Sequence, residues 1–172
     1  MPRNIEIKAS VEHLDGIENK VALIAAEGPI TLTQDDTFFR CDSGRLKLRS
    51  FSDTEGELIF YRRADENGPK ESFYLCSPTT APTTLRESLS LAYGQVGRVQ
   101  KRRVVYIVGR ARIHLDKVKE LGYFVELEVV LTEEESAKSG QSEAYELMEY
   151  LGIKPSQLVK DAYVDLINQS DG

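Results

Sequence analysis

The chain has 172 residues, 41% of them apolar and 29% charged, with a formal net charge of -6. That length suits one domain with a real core and is too short for two comfortable ones, so residues 1–172 are read as a single domain. No apolar run approaches the length that crosses a bilayer, and the acidic total speaks against a general nucleic-acid binder, although acids on the outside can conceal a basic interior.

The opening "MPRNIEIK" is charged and carries no secretory-type apolar stretch, which predicts a cytoplasmic protein. It runs into a strand at "NIEIKA", whose alternation puts Asn4, Glu6 and Lys8 on one face and Ile5, Ile7 and Ala9 on the other. Leu14, Ile17, Val21 and Ile24 then recur three or four apart, predicting an amphipathic helix stopped by Gly28 and Pro29. Strand-like runs follow at "ITLTQDDTFFR", "RLKLRSF", "ELIFYRR" and "ESFYLC", the later ones joined by the turn-rich "SDTEG" and "ADENGP". A proline and threonine loop leads to a helix with Leu85, Leu89 and Ala92 on one side. Three more strands come next, "GRVQKRRVVYIV", "RARIHLDKV" and "YFVELEVVL". Thr132 and the glutamates after it predict the N-terminal end of a helix that buries Leu147, Met148 and Leu151 and breaks near Gly140. A short last helix is entered through Pro155.

Across these strands the face opposite the apolar residues is charged rather than merely polar. Lys47 and Arg49 oppose Leu46 and Leu48; Lys101 and Arg103 share one parity; Arg112, His114 and Asp116 oppose Ile113 and Leu115; Glu126 and Glu128 oppose Leu127. Like charges two residues apart on one face repel, so these pairs call for counter-charges: a divalent metal for the acids and a polyanion for the bases. Eight antiparallel strands can also close into a barrel lined by a single parity, with helices packed on the apolar outside; the fold class is then α+β. Cys41 and Cys76 have no CxxC spacing and no close histidine, which leaves them as reduced, structural thiols.

From "NIEIKA" through "DDTFF", "RLKLR", "LIFYRR", "VQKRR" and "HLDKVKELGYFVELEV" to "LVKDAYVDLI", the chain resembles the CYTH family of triphosphate tunnel metalloenzymes, which includes class IV adenylate cyclases and thiamine triphosphatases. The family's E-x-E-x-K signature is matched at Glu6 and Lys8, with Asn4 in the first acidic position. The resemblance implies an eight-stranded antiparallel closed β-barrel, the triphosphate tunnel, holding Mg2+ or Mn2+ at Glu6, Asp116, Glu126 and Glu128. It implies phosphate contacts from Lys8, Lys47, Arg49, Arg62, Lys101, Arg103, Arg112 and Lys160, with Lys70 near a further basic position. Glu6, Lys8, Asp116, Glu126 and Glu128 form the implied catalytic set; His114 either touches substrate or is structural, and the "DDTFF" strand reads as structural.

The implied activity is metal-dependent hydrolysis of a small triphosphate, whether inorganic triphosphate, thiamine triphosphate or a nucleotide. A class IV-type cyclase making cyclic AMP and pyrophosphate from ATP is the enzyme alternative, and a non-catalytic polyphosphate or nucleotide binding module is the other. The expected partner is a small-molecule triphosphate, with no nucleic acid and no membrane, acting on a monomer or homodimer.

Overall fold

The computed structural model describes residues 3–63 and 68–171, with the side chains of Arg63, Ser170 and Asp171 left undescribed. Part of the expected "ADENGP" turn, residues 64–67, lies outside the described residues. Among the described residues, eight strands and four α-helices run in the order β1 (Arg3–Val11), α1 (Asp15–Ile24), β2 (Glu27–Phe39), β3 (Arg45–Ser52), β4 (Glu55–Arg63), β5 (Lys70–Thr79), α2 (Pro82–Tyr93), β6 (Gln95–Val108), β7 (Ala111–Val118), β8 (Gly122–Leu131), α3 (Ala137–Leu151) and α4 (Tyr163–Asp171). The strands pair β1-β5-β4-β3-β2-β6-β7-β8, and β8 returns to β1, so the hydrogen bonds make a closed ring. Every pairing is antiparallel. No described helix is long and apolar enough to cross a membrane.

The strand alternation predicted from the sequence sorts the two faces. Ile7, Ile113, Leu115, Val125 and Leu127 point outward, where they meet Val21 of α1 and Met148 and Leu151 of α3. The opposite parity points inward. At one end of the ring the interior is apolar, with Phe38, Val99, Val118 and Phe124 packed against Tyr163, Val164 and Ile167 at the start of α4.

Helix limits differ from the expected ones for identifiable reasons. α1 ends at Ile24, and Gly28 and Pro29 sit inside β2, where the β2–β6 register shifts between Glu27 and Ile30. Thr132 does not open α3, which begins at Ala137. The segment before it is drawn aside by Glu135, whose carboxylate accepts from the Thr132 N–H at 3.1 Å and the Ser139 hydroxyl at 2.8 Å and pairs with Arg110. Pro155 opens only a single turn, Pro155–Gln157, and the last helix starts separately at Tyr163.

α3 also runs unbroken through Gly140, and packing explains the glycine. A Cβ there would lie 2.6 Å from Ile5 Cγ1 and 2.7 Å from Leu131 Cδ2, so the helix approaches β1 and β8 only because that side chain is missing. Gly140→Ala is therefore expected to lower stability by about 1–3 kcal/mol through overpacking. Helix propensity alone predicts a gain of about 1 kcal/mol, so the direction of the change in the urea midpoint decides between the two effects.

Candidate functional site

Inside the ring lies a cavity of about 380 Å³, within the range of small-molecule sites. One parity from each strand lines it: Asn4, Glu6 and Lys8 of β1; Gln34 and Asp36 of β2; Lys47 and Arg49 of β3; Glu57 and Tyr61 of β4; Ser72 and Tyr74 of β5; Lys101 and Arg103 of β6; Arg112 and His114 of β7; Glu126 and Glu128 of β8. Ala162 and Tyr163 complete the lining.

The cations cluster around Asp36, which is 1% exposed. Arg49, directly opposite it on β3, donates to both carboxylate oxygens at 2.9 and 2.8 Å. The ammonium groups of Lys101 and Lys47 stand 3.1 and 3.4 Å from Oδ2. Burial alone pushes this carboxyl up, but Arg49, Lys101 and Lys47 together hold it well below the usual range. One carboxylate cannot balance three bases that are buried around it. Burial, with Arg49 and Arg103 nearby, lowers Lys101 to about 7 in spite of Asp36, and burial with Arg49 lowers Lys47 to about 8. The cavity therefore holds basic groups short of negative charge.

Tyr163 forms the floor beside them. The Lys8 ammonium sits 4.2 Å above its ring and donates to the Asp161 carbonyl at 2.9 Å, while Lys101 lies 5.5 Å from the ring centre. The Tyr163 hydroxyl donates to Asp116 Oδ2 at 2.8 Å, and Arg103 donates to both Asp116 oxygens, also at 2.8 Å.

The acids gather on β1 and β8. Glu6 faces Glu128 across the β1–β8 pairing, and Glu128 faces Arg112 across β7–β8. Glu126 lies between Lys8 and His114 in the same two registers. Although burial raises it, His114, Arg103 and Lys8 keep the Glu126 carboxyl well below its ordinary value. One ligating atom each from His114, Glu126 and Glu128 lies within 4.8 Å of the others. Asn4 donates to Glu128 Oε1 at 2.5 Å through Nδ2, leaving its buried Oδ1 with no hydrogen-bond partner. Two carboxylates beside an acceptor oxygen that nothing satisfies are a donor set suited to a hard divalent cation.

Of the residues expected from the sequence, the structure brings together Glu6, Lys8, Lys47, Arg49, Lys101, Arg103, Arg112, Glu126 and Glu128 around this cavity. Three stand elsewhere. Arg62 is on the outer face, because the lining parity of β4 is Glu57, Ile59 and Tyr61; its Nε donates to the Ser43 carbonyl at 2.8 Å and its guanidinium stacks over Phe60. Lys160 is exposed, and its contribution is a main-chain carbonyl that accepts from Lys70 Nζ at 2.8 Å. Asp116 points inward but is 0% exposed and held by Arg103 and Tyr163, so it orients a base instead of facing the cavity. Sequence reasoning missed Asp36 and Tyr163. Two successive aspartates in a strand cannot both face water, and that signal was available: Asp35 pairs outward with Arg98, which leaves Asp36 inside.

A family model described as the CYTH domain matches residues 2–163. A curated relative, adenylate cyclase CyaB of Aeromonas hydrophila, is 31% identical over 81 residues, which are 47% of this chain and 42% of that protein. The chain thus spans about two fifths of the length of that relative. Among solved structures, the PH1012 protein of Pyrococcus horikoshii superposes with a TM-score of 0.84 at 23% identity, covering 95% of this chain and 98% of that one. A putative adenylyl cyclase of Hippeastrum, described as having a dominant triphosphatase activity, superposes at 0.67 with 14% identity, covering 99% and 96%.

Proposed function

Because the chain belongs to the CYTH domain family, we propose that it hydrolyses a small triphosphate bound inside the ring with the help of Mg2+ or Mn2+. The observation that carries this reading is the sorting of charge within one cavity: bases short of counter-charge around Asp36 and Tyr163, and acids gathered on β1 and β8.

Lys8, Lys47, Arg49, Lys101 and Arg103 bind the phosphate chain, and the two arginines offer planar two-point contacts to its oxygens. Asp116 and Tyr163 hold the Arg103 guanidinium in place, so it does not reorganise when the anion arrives. Glu6, Glu126 and Glu128 would hold the cation, with Asn4 Oδ1 as a neutral oxygen at the first acidic position of the E-x-E-x-K signature. When bound, the cation supplies charge neutralisation on the phosphate oxygens and a nucleophile made more acidic. The enclosing walls limit bulk water, which strengthens each of these contacts.

Similarity to the Aeromonas cyclase favours a second reading, conversion of ATP to cyclic AMP and pyrophosphate. Incubation with inorganic triphosphate, thiamine triphosphate and ATP, with Mg2+ or Mn2+, separates the two. Orthophosphate release supports the hydrolase; cyclic AMP with pyrophosphate supports the cyclase; tight binding without turnover leaves a binding module. Arg62→Ala and Lys160→Ala serve as controls and are expected to keep kcat/KM within about twofold, as surface substitutions do.

The lowered lysines give the reading a pH signature. Lys101 near 7 and Lys47 near 8 lose their protons in the free protein as pH rises through that window. A bound polyanion favours their charged forms and raises both values, so binding takes up protons between about pH 7 and 9, and affinity falls by roughly tenfold per pH unit for each proton taken up. Calorimetry of triphosphate binding in buffers of different ionisation enthalpy reads this uptake directly. An unchanged enthalpy across buffers at pH 8 contradicts it.

A further inference from the structure

The geometry points to His114 as a ligand of the cation held by Glu126 and Glu128, making this a mixed imidazole and carboxylate site that selects Mn2+ over Mg2+. The inference rests on the metal-assisted reading of the same cavity. His114 lies on β7 directly opposite Glu126, with its side chain 7% exposed. Its Nδ1 is 3.8 Å from Glu126 Oε1, and its Nε2 is 3.6 Å from Glu128 Oε2. Both separations exceed a hydrogen bond. Nδ1 is in fact buried with no hydrogen-bond partner, as is the neighbouring Asn4 Oδ1.

A buried imidazole nitrogen normally finds a donor or acceptor. Here Nδ1 is left beside the Glu126 carboxylate, and Nε2 of the same ring stands beside that of Glu128. Ligands bonded at about 2.1 Å stand about 3.0 Å apart at right angles and about 4.2 Å apart when opposed. Each separation falls inside that interval, though they start from opposite ring nitrogens, of which one bonds the ion; one ligating atom from each of the three residues lies within 4.8 Å of the others, so a small turn of the ring brings the set onto a single ion.

The donor set then decides which ion is preferred. Mg2+ favours an all-oxygen shell and gives up water reluctantly, whereas Mn2+, although it too accepts carboxylates and is the weakest binder of the first-row transition series, takes a nitrogen ligand more readily than Mg2+ does. A site with one nitrogen among carboxylate oxygens shifts the preference toward Mn2+. Without His114 the remaining donors are all oxygen, and that preference is lost.

The chain contains two histidines, and His13 is exposed ahead of α1, so it serves as an internal control. Metal-free protein loaded with stoichiometric Mn2+ alone is expected to show, by pulsed electron paramagnetic resonance, the nitrogen coupling of a directly bonded imidazole, which His114→Gln removes and His13→Gln leaves in place. Calorimetry without substrate is expected to show His114→Gln weakening Mn2+ by about tenfold or more, with Mg2+ changed by less than about threefold.

Mn2+ binding that Glu128→Gln abolishes, together with no bonded-nitrogen coupling in the unaltered protein or an unchanged Mn2+/Mg2+ ratio in His114→Gln, overturns the inference and leaves the cavity reading standing. Absence of any divalent binding, with or without inorganic triphosphate, overturns both. The resonance spectrum of the unaltered protein, with His13→Gln as its control, decides between these outcomes even if His114→Gln fails to fold.

Discussion

Glu128→Gln is expected to cut metal-dependent phosphate release by about 10²-fold or more, the effect of losing a charge that fixes the cation, worth several kcal/mol of transition-state stabilisation. The substitution keeps the shape of the side chain and an oxygen that accepts from Asn4 Nδ2. It also removes one of two like charges that face each other across β1 and β8, where Glu6 and Glu128 are paired. Like charges directly opposite on a sheet are destabilising. The thermal midpoint of the metal-free variant should therefore hold or rise while turnover collapses. A merely structural Glu128 would give the reverse pattern, with activity following stability; turnover within a few-fold of the parent, read by orthophosphate release, removes Glu128 from the site.

Asp116→Asn is expected to cost about 3–5 kcal/mol of folding stability, the penalty for leaving a buried charge without its partner. Asp116 is 0% exposed and accepts two hydrogen bonds from Arg103 and one from Tyr163. Neutralising it leaves the Arg103 guanidinium buried with Glu126, 3.9 Å away, as its remaining ion-pair partner among the described residues. The urea midpoint measures the loss. Adding Arg103→Met in the same chain should restore part of it, because losing both charges of a buried ion pair costs far less than stranding one of them. A fall in turnover with stability unchanged would instead make Asp116 a ligand facing the cation, the role that the resemblance alone implies.

Both predictions depend on side chains whose direction could be read from the sequence to different degrees. The period-two alternation of Glu6 with Lys8, of Lys101 with Arg103 and of Glu126 with Glu128 is a property of each strand alone, so the charged inner parity was legible without knowing the neighbours. Arg62 shows the limit of that logic. In "LIFYRR" a basic residue follows an apolar run without alternation, and only pairing with β3 and β5 establishes that Tyr61 faces in and Arg62 out. Lys160 sits ahead of α4 in a segment with no period at all, so nothing local indicates that its carbonyl, rather than its ammonium, turns to the interior. Asp116 has the right parity, yet parity does not reveal that the opposite residue on β6 is an arginine able to occupy both of its oxygens. Gly140 reads as a helix break because glycine is a poor helix former, whereas its use here is the close contact of α3 with Ile5 and Leu131.

The position of β1 in the ring bears on how this chain reaches its final form. Both edges of β1 are satisfied by strands made much later: Ile5 lies opposite Glu71 on one side and Val129 on the other. As the polypeptide leaves the ribosome, the edge of β1 that meets β5 waits through four further strands and the edge that meets β8 through seven, its amide and carbonyl groups hydrated until then. Loop closure over such spans is entropically expensive and slow. Annealing of the seam between the first and last strands therefore belongs to the end of maturation, after the nascent chain has presented residue 131.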